Sequence, residues 1–230
     1  MFDKFRQVKK WISLTFRATT LVAVGVYYLI GTVIGGEAFF YNAPLIVLLL
    51  LVWGECVIDT VIKLVANRCV PMGARKHKKA NYLPTGVEKR QKHDWEKTFI
   101  MAILWGIAVV FFGLGKFLGF LDEGLLILGF LALLVWDSLS VHFYCPFRVL
   151  IMKNKCCTTC RIYNWDGLMI ATPLYFVHNV FTFILIGLNL ILFVWWEVAY
   201  RLHPERFCES TNANLKCSNC RNLSCPRKNK

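Results

Sequence analysis

A succession of long, nearly uncharged apolar runs constrains this chain more than any other feature. A helix needs about twenty apolar residues to cross the hydrocarbon core of a bilayer. Runs of that kind lie at 20–35, 44–65, 99–118 and 123–144, and a fifth lies within 168–200. The chain is 57% hydrophobic and 18% charged, with a mean hydropathy of +0.49, well outside the range of soluble domains. The expected fold class is an all-α integral membrane protein. It would be a bundle of about five transmembrane helices with an N-terminal amphipathic helix and a small Cys-rich C-terminal tail.

These runs divide the chain. Residues 1–18 form a basic segment in which Phe2, Phe5, Val8, Trp11 and Ile12 recur at helical spacing among lysines and arginines. That pattern suits an interfacial amphipathic helix, or a plain basic flank that sets orientation. No cleavable signal peptide is expected. Residues 19–66 make a first transmembrane hairpin, with Gly25, Gly31, Gly35 and Gly36 allowing close helix packing. A basic loop spans 67–98, a second hairpin 99–144, and a Cys-containing loop 145–166. A fifth transmembrane segment covers 167–200, where Pro173 is expected to separate a short interfacial turn from the main helix and Trp195, Trp196 and Tyr200 suit an aromatic belt. The tail is 201–230.

Charge orients the bundle. The formal net charge is +13, which topology explains better than nucleic acid, because no RNA- or DNA-binding motif is visible and nucleic acid is not an expected partner. Lys4, Arg6, Lys9, Lys10 and Arg17 precede the first run, nine lysines and arginines lie between Arg68 and Lys97, and Arg148, Lys153, Lys155 and Arg161 follow the fourth run. The two opposite loops, 36–43 and 115–122, contain Lys116 alone among such residues. The positive-inside bias predicts a multi-pass protein of the cell membrane with a cytoplasmic N-terminus. Five crossings would export the tail, yet its seven lysines and arginines favour the inside. Either the tail is exported, or one apolar segment is re-entrant, or the last one folds back, with the short first run and the overlong fifth as candidates, and the reading leans towards a cytoplasmic tail.

The ten cysteines cluster. Cys208, Cys217, Cys220 and Cys225 in the tail contain a C-x-x-C step with two flanking sulfurs, the ligand set of a zinc knuckle or an iron–sulfur cluster. So short a tail has no hydrophobic core of its own, so a metal or disulfides are expected to order it. Cys145, Cys156, Cys157 and Cys160 form a second metal or redox candidate, in which Lys153, Lys155 and Arg161 favour thiolate. A dicysteine beside a helical bundle resembles membrane thiol oxidoreductases of the vitamin K epoxide reductase type and small mercury-uptake proteins. The resemblance extends no further than that pair.

Ionisable groups inside spans are costly and therefore functional candidates. Glu55 and Asp59 lie four apart on one helical face, Asp137 and His142 lie in the fourth run, and His178 lies early in the fifth. At about 1.5 Å of rise per residue, Asp59, Asp137 and His178 are expected at one depth. Such a layer suits a proton relay, a hard-metal site or a quinone pocket, or else hydrogen bonds that hold the bundle together. The combined expectation is a membrane protein that binds a metal or iron–sulfur centre (iron–sulfur or zinc) and takes part in electron transfer or thiol redox chemistry. The alternatives are a soft-metal transport or handling protein and a non-catalytic adaptor with a structural zinc knuckle. Membrane lipids, a redox or docking protein and a second copy of the chain are the expected partners. No nucleotide-binding, nucleophile or zinc-protease motif is present.

Overall fold

The computed structural model describes residues 2–34, 43–66, 76–87, 95–143, 145–154, 156 and 159–219, without the side chains of 2–7, 9–10, 141–142 and 217. The helices are α1 (Phe2–Ile34), α2 (Ala43–Val65), α3 (Trp95–Phe117), α4 (Glu123–His142), the short α5 (Asp166–Ile170) and α6 (Val180–Leu202). Among the described residues, five helices are long and apolar enough to cross a membrane, so the chain is an all-α membrane bundle. No break occurs at residue 18. The amphipathic start and the first span are one continuous helix, whose membrane-crossing part is Trp11–Val33.

Local chemistry sets the helix ends. Asp122 caps α4 by accepting a hydrogen bond from the Leu125 N–H at 2.7 Å. Gly119, at φ +78°, supplies the left-handed residue in the turn between α3 and α4. Asn179 and Thr182 form a reciprocal capping box at the start of α6. The Lys78 ammonium donates to the carbonyls of Leu64 and Ala66, at 2.6 and 2.9 Å, and so satisfies the C-terminal end of α2.

The first four helices form two hairpins. α1 and α4 are antiparallel: Trp11 meets Phe143 at 6.1 Å, Arg17 bonds Ser138, and Tyr28 donates to Asp122 at 3.0 Å. The next segment does not cross the bundle. After a π-helical turn at Phe147–Ile151, the chain enters between α3 and α4 as α5 and the 3₁₀ turn Thr172–Phe176. Pro173 packs beside Gly129, and the Phe176 ring lies about 3 Å from where a β-carbon on Gly113 would stand. The chain reverses at 177–179 and returns as α6. Trp53 Nε1 donates to the Phe181 carbonyl at 2.8 Å, and Thr60 Oγ1 lies 3.3 Å from Asn189 Oδ1. Both indices rise together, so α6 is parallel to α2. It begins level with Trp53, well inside α2, and leaves at the end where α2 finishes. The expected fifth segment, 167–200, thus has two parts: α5 and the 3₁₀ turn enter the bundle and turn back, with Pro173 buried inside it, and α6, itself long and apolar enough to cross a membrane, follows.

This topology brings the tail to the end of the bundle that carries the basic loop. Asn212 is fully buried and saturated. Its amide nitrogen donates to Lys76 O and Arg206 O, and its oxygen accepts from the backbones of Leu83 and Asn214. Ala213 N donates to Leu83 O at 2.8 Å and Thr85 N to Thr211 O at 3.2 Å. His77 stacks on Phe207 at 4.5 Å, and Trp196 meets both rings edge-on. The stretch from His203 to Lys216 is therefore ordered by packing against residues 76–87 and α6. This part of the tail thus has packing partners outside itself, which its short length alone does not reveal.

Candidate functional site

Charged residues from four elements converge in one layer of the bundle. Arg17 of α1 is the hub. Its Nε donates to Glu55 Oε2 at 3.1 Å, its Nη1 donates to Ser138 at 2.9 Å, and its Nη2 lies 3.8 Å from Asp59. Ser13 donates to the other oxygen of Glu55. Lys63, near the end of α2, pairs with Asp166 of α5 at 3.1 Å. Asp137 lies between these pairs. Arg17, Asp59, Lys63, Asp137 and Asp166 line a cavity of about 100 Å³, together with Thr60 and Asn189. Four carboxylates here face two cations, an arrangement that attracts protons or cationic groups.

A second, larger cavity of about 320 Å³ adjoins the first, between α3, α4 and the re-entrant segment, and Asp137 and Asp166 border both. Its walls are largely aromatic and aliphatic, including Trp105, Phe112, Trp136 and Phe147. Trp105 is held by its indole N–H donating to Thr172 Oγ1 at 2.9 Å. Arg148, Ser140 and two cysteines, Cys145 and Cys160, add the polar groups. A ligand site of this size, mostly apolar with a few convergent polar groups, suits a small ring compound or the head of an amphiphile.

Cys160 is nearly buried. Burial pushes its thiol up to about 11, against hydrogen bonds from the Ile162 backbone and the Asn154 side chain that favour thiolate. The neighbouring basic residues therefore do not activate this sulfur in the way the sequence suggests. At neutral pH it is a thiol, and its nucleophilic fraction grows with alkali. Its alkylation by iodoacetamide is expected to accelerate about tenfold per pH unit from about pH 7 to about pH 10. A rate that levels off near the ordinary thiol pKa of about 8.5 would contradict this burial.

The other sequence candidates are distributed as follows. Glu55, Asp59 and Asp137 share the charged layer. His178 does not join them, because the chain reverses around it and leaves it exposed at the turn, edge-on to Phe183 at 6.4 Å. His142 ends α4, and its side chain lies outside the described residues. Cys156 is half-buried, and its carbonyl accepts from Thr159. Cys208 is half-buried, with its sulfur 3.0 Å from Ser210 Oγ. Cys217 starts a 3₁₀ turn, but its side chain, and Cys157, Cys220 and Cys225 altogether, fall outside the described residues. Among the described residues, no three His, Cys, Asp or Glu side chains gather as a metal site.

Arg17, Lys63 and Asp166 escape the sequence reading. Arg17 reads as the last member of the basic flank, and Lys63 lies unremarked near the end of the second apolar run. Asp166 reads as part of a loop. The available signal is electrostatic: an acidic pair inside an apolar helix needs a cation, and Arg17 is the cation nearest to the middle of the first run. The fold and this site define a multi-pass helical membrane protein with a re-entrant segment and an intramembrane charge layer. No protein family, characterised protein or solved structure matches the chain.

Proposed function

We propose that the protein is a membrane thiol-redox protein whose dithiol exchanges electrons with a lipid-soluble quinone held in the larger cavity. One observation carries this reading: Cys145 and Cys160, from the two ends of one loop, line the same apolar, aromatic cavity as the carboxylates Asp137 and Asp166. A quinone ring suits such walls, and its two oxygens need hydrogen-bond donors and protons nearby. In the reaction the S–H bonds of Cys145 and Cys160 break and an S–S bond forms. Two electrons pass to the ring and two protons to its oxygens, which gives hydroquinone and protein disulfide. Asp137 and Asp166 relay the protons, and because the Cys160 thiol is protonated at rest, removal of its proton is the step that needs a base. Reduction of the disulfide by a soluble dithiol protein completes the cycle. The basic loops, the N-terminus and the tail share one end of the bundle, which this reading takes as the cytoplasmic face of the cell membrane.

The test uses full-length protein reduced with dithiothreitol, desalted, and mixed under argon with a short-chain benzoquinone. Stoichiometric loss of quinone absorbance and a Cys145–Cys160 disulfide on peptide mapping are expected. Cys145→Ser and Cys160→Ser should each slow the reaction at least about 100-fold, the scale of losing an essential reacting group. Cys56→Ser should leave it unchanged. Unchanged quinone with all thiols intact would overturn the proposal.

A second reading rests on sequence spacing alone: Cys208, Cys217, Cys220 and Cys225 are a ligand set for iron–sulfur or zinc. Metal content measured on the same sample separates the two. Iron with a broad visible band makes the tail an electron donor to the dithiol, and colourless zinc makes it a docking knuckle.

A further inference from the structure

A third cavity, of about 400 Å³, opens between the first turns of α3 and the last turns of α6, apart from the redox site. Its centre is Arg161, which is only 5% exposed. Arg161 Nη2 donates to Glu197 at 2.8 Å, while its Nε and Nη1 are buried with no hydrogen-bond partner among the described residues. The guanidinium lies 4.8 Å from the Trp95 ring centre and 4.6 Å from that of Tyr200, so it is fixed in position. Glu197 is already engaged, since its second oxygen accepts from Trp165 Nε1 at 2.9 Å. Arg201, one helical turn beyond Glu197, also lines the cavity. Among the described residues, two arginines against one carboxylate leave a net positive charge, and Nε and Nη1 of Arg161 lack an acceptor. Buried donors of this kind are costly unless something bonds them.

The rest of the cavity is apolar and faces outward. Phe99, Val194 and Val198 line it at 66%, 50% and 48% exposure. These residues belong to α3 and α6, both long and apolar enough to cross a membrane, so their exposed faces suit acyl chains. We infer that this groove binds an anionic phospholipid. Its phosphate sits at Arg161 and Arg201, and an acyl chain runs along Phe99, Val194 and Val198. A free phosphate ion would use the arginines but not the apolar wall, whereas a lipid uses both. The position fits as well, because the arginines lie at the end of the bundle where the basic segments gather and where headgroups stand.

The experiment takes delipidated full-length protein in detergent and adds phosphatidylglycerol, phosphatidylcholine of the same chains, or inorganic phosphate. Native mass spectrometry counts bound lipid, and thermal unfolding reads stabilisation. At least about tenfold preferential retention of phosphatidylglycerol over phosphatidylcholine is expected, the effect of one well-placed charge pair. Arg201→Gln, at an exposed position, should reduce that preference several-fold without loss of folding. Val194→Trp, which fills the groove while keeping the charges, should weaken retention of both lipids. Equal retention of the two lipids by the wild type would overturn the inference. Stabilisation by inorganic phosphate that matches phosphatidylglycerol would also overturn it, in favour of an ion site. Wild-type preference in Arg201→Gln would do so too.

Discussion

Arg17→Leu is expected to destabilise the bundle by about 3–5 kcal/mol, the cost of removing one partner from a buried ion pair. Arg17 is 12% exposed and its partner Glu55 27%. No other described cation contacts Glu55 at ion-pair distance, so in the variant its carboxylate stays in the apolar layer with only Ser13 to bond it. Asp59 adds little, because it lies 3.8 Å away and its side chain is 55% exposed. The loss reaches three helices, since the same guanidinium bonds Ser138 on α4. The diagnostic result is the double variant. Arg17→Leu with Glu55→Leu should recover most of the loss, because a well-packed apolar pair in place of both charges is often neutral or better. Unfolding in mixed detergent micelles, arranged as a double-mutant cycle, measures the coupling. If the double variant is as unstable as Arg17→Leu alone, the charge pairing is not what Arg17 supplies.

What the sequence shows and what it hides follow from the range of each interaction. Helix positions are local, and the runs at 44–65, 99–118 and 123–144 fall close to α2, α3 and α4 because hydropathy and length decide them. The grouping of Glu55 with Asp59 is equally local, being a matter of i, i+4 spacing. The pairing of both with Arg17 is not, for it depends on α1 packing antiparallel to α4 and beside α2. The overlong fifth run holds more than one helix, because α5 and the 3₁₀ turn enter the bundle and turn back before α6 begins. Depth counting misassigned His178, because it assumes that each apolar run crosses from one face to the other. The chain instead enters as α5 and a 3₁₀ turn, and His178 ends up at the reversal rather than in the charged layer. The burial of Lys76, His77 and Lys78 under the tail was likewise unreadable from composition. Those residues resemble any basic loop until Asn212 and Phe207 are folded over them.

Gly167 tests the re-entrant segment directly. A β-carbon there would stand 1.9 Å from Asn189 Oδ1 and 2.6 Å from its Cγ, far inside contact distance. Asn189 has little freedom to yield. It is 5% exposed, its amide nitrogen donates to Leu185 O at 2.9 Å, and its oxygen faces Thr60. Gly167→Ala must therefore either rotate Asn189 out of both contacts or push α5 away from α6. Overpacking costs about 1–3 kcal/mol and a stranded buried amide a similar amount, so a loss of about 2–5 kcal/mol is expected. Asn189→Ala alone should cost less, because Thr60 keeps its bond to the Cys56 carbonyl at 2.9 Å. Combined with Gly167→Ala it should bring stability back close to that of Asn189→Ala by itself. A movement of α5 also has a functional reading. Asp166 precedes Gly167, pairs with Lys63 and borders both cavities. Gly167→Ala should therefore slow quinone reduction even where the protein remains folded, and the double variant should restore the rate. If Gly167→Ala matches wild type in both stability and rate, α5 does not pack on α6 through Gly167 and Asn189, and the charged layer must be held in place by α1, α2 and α4 alone.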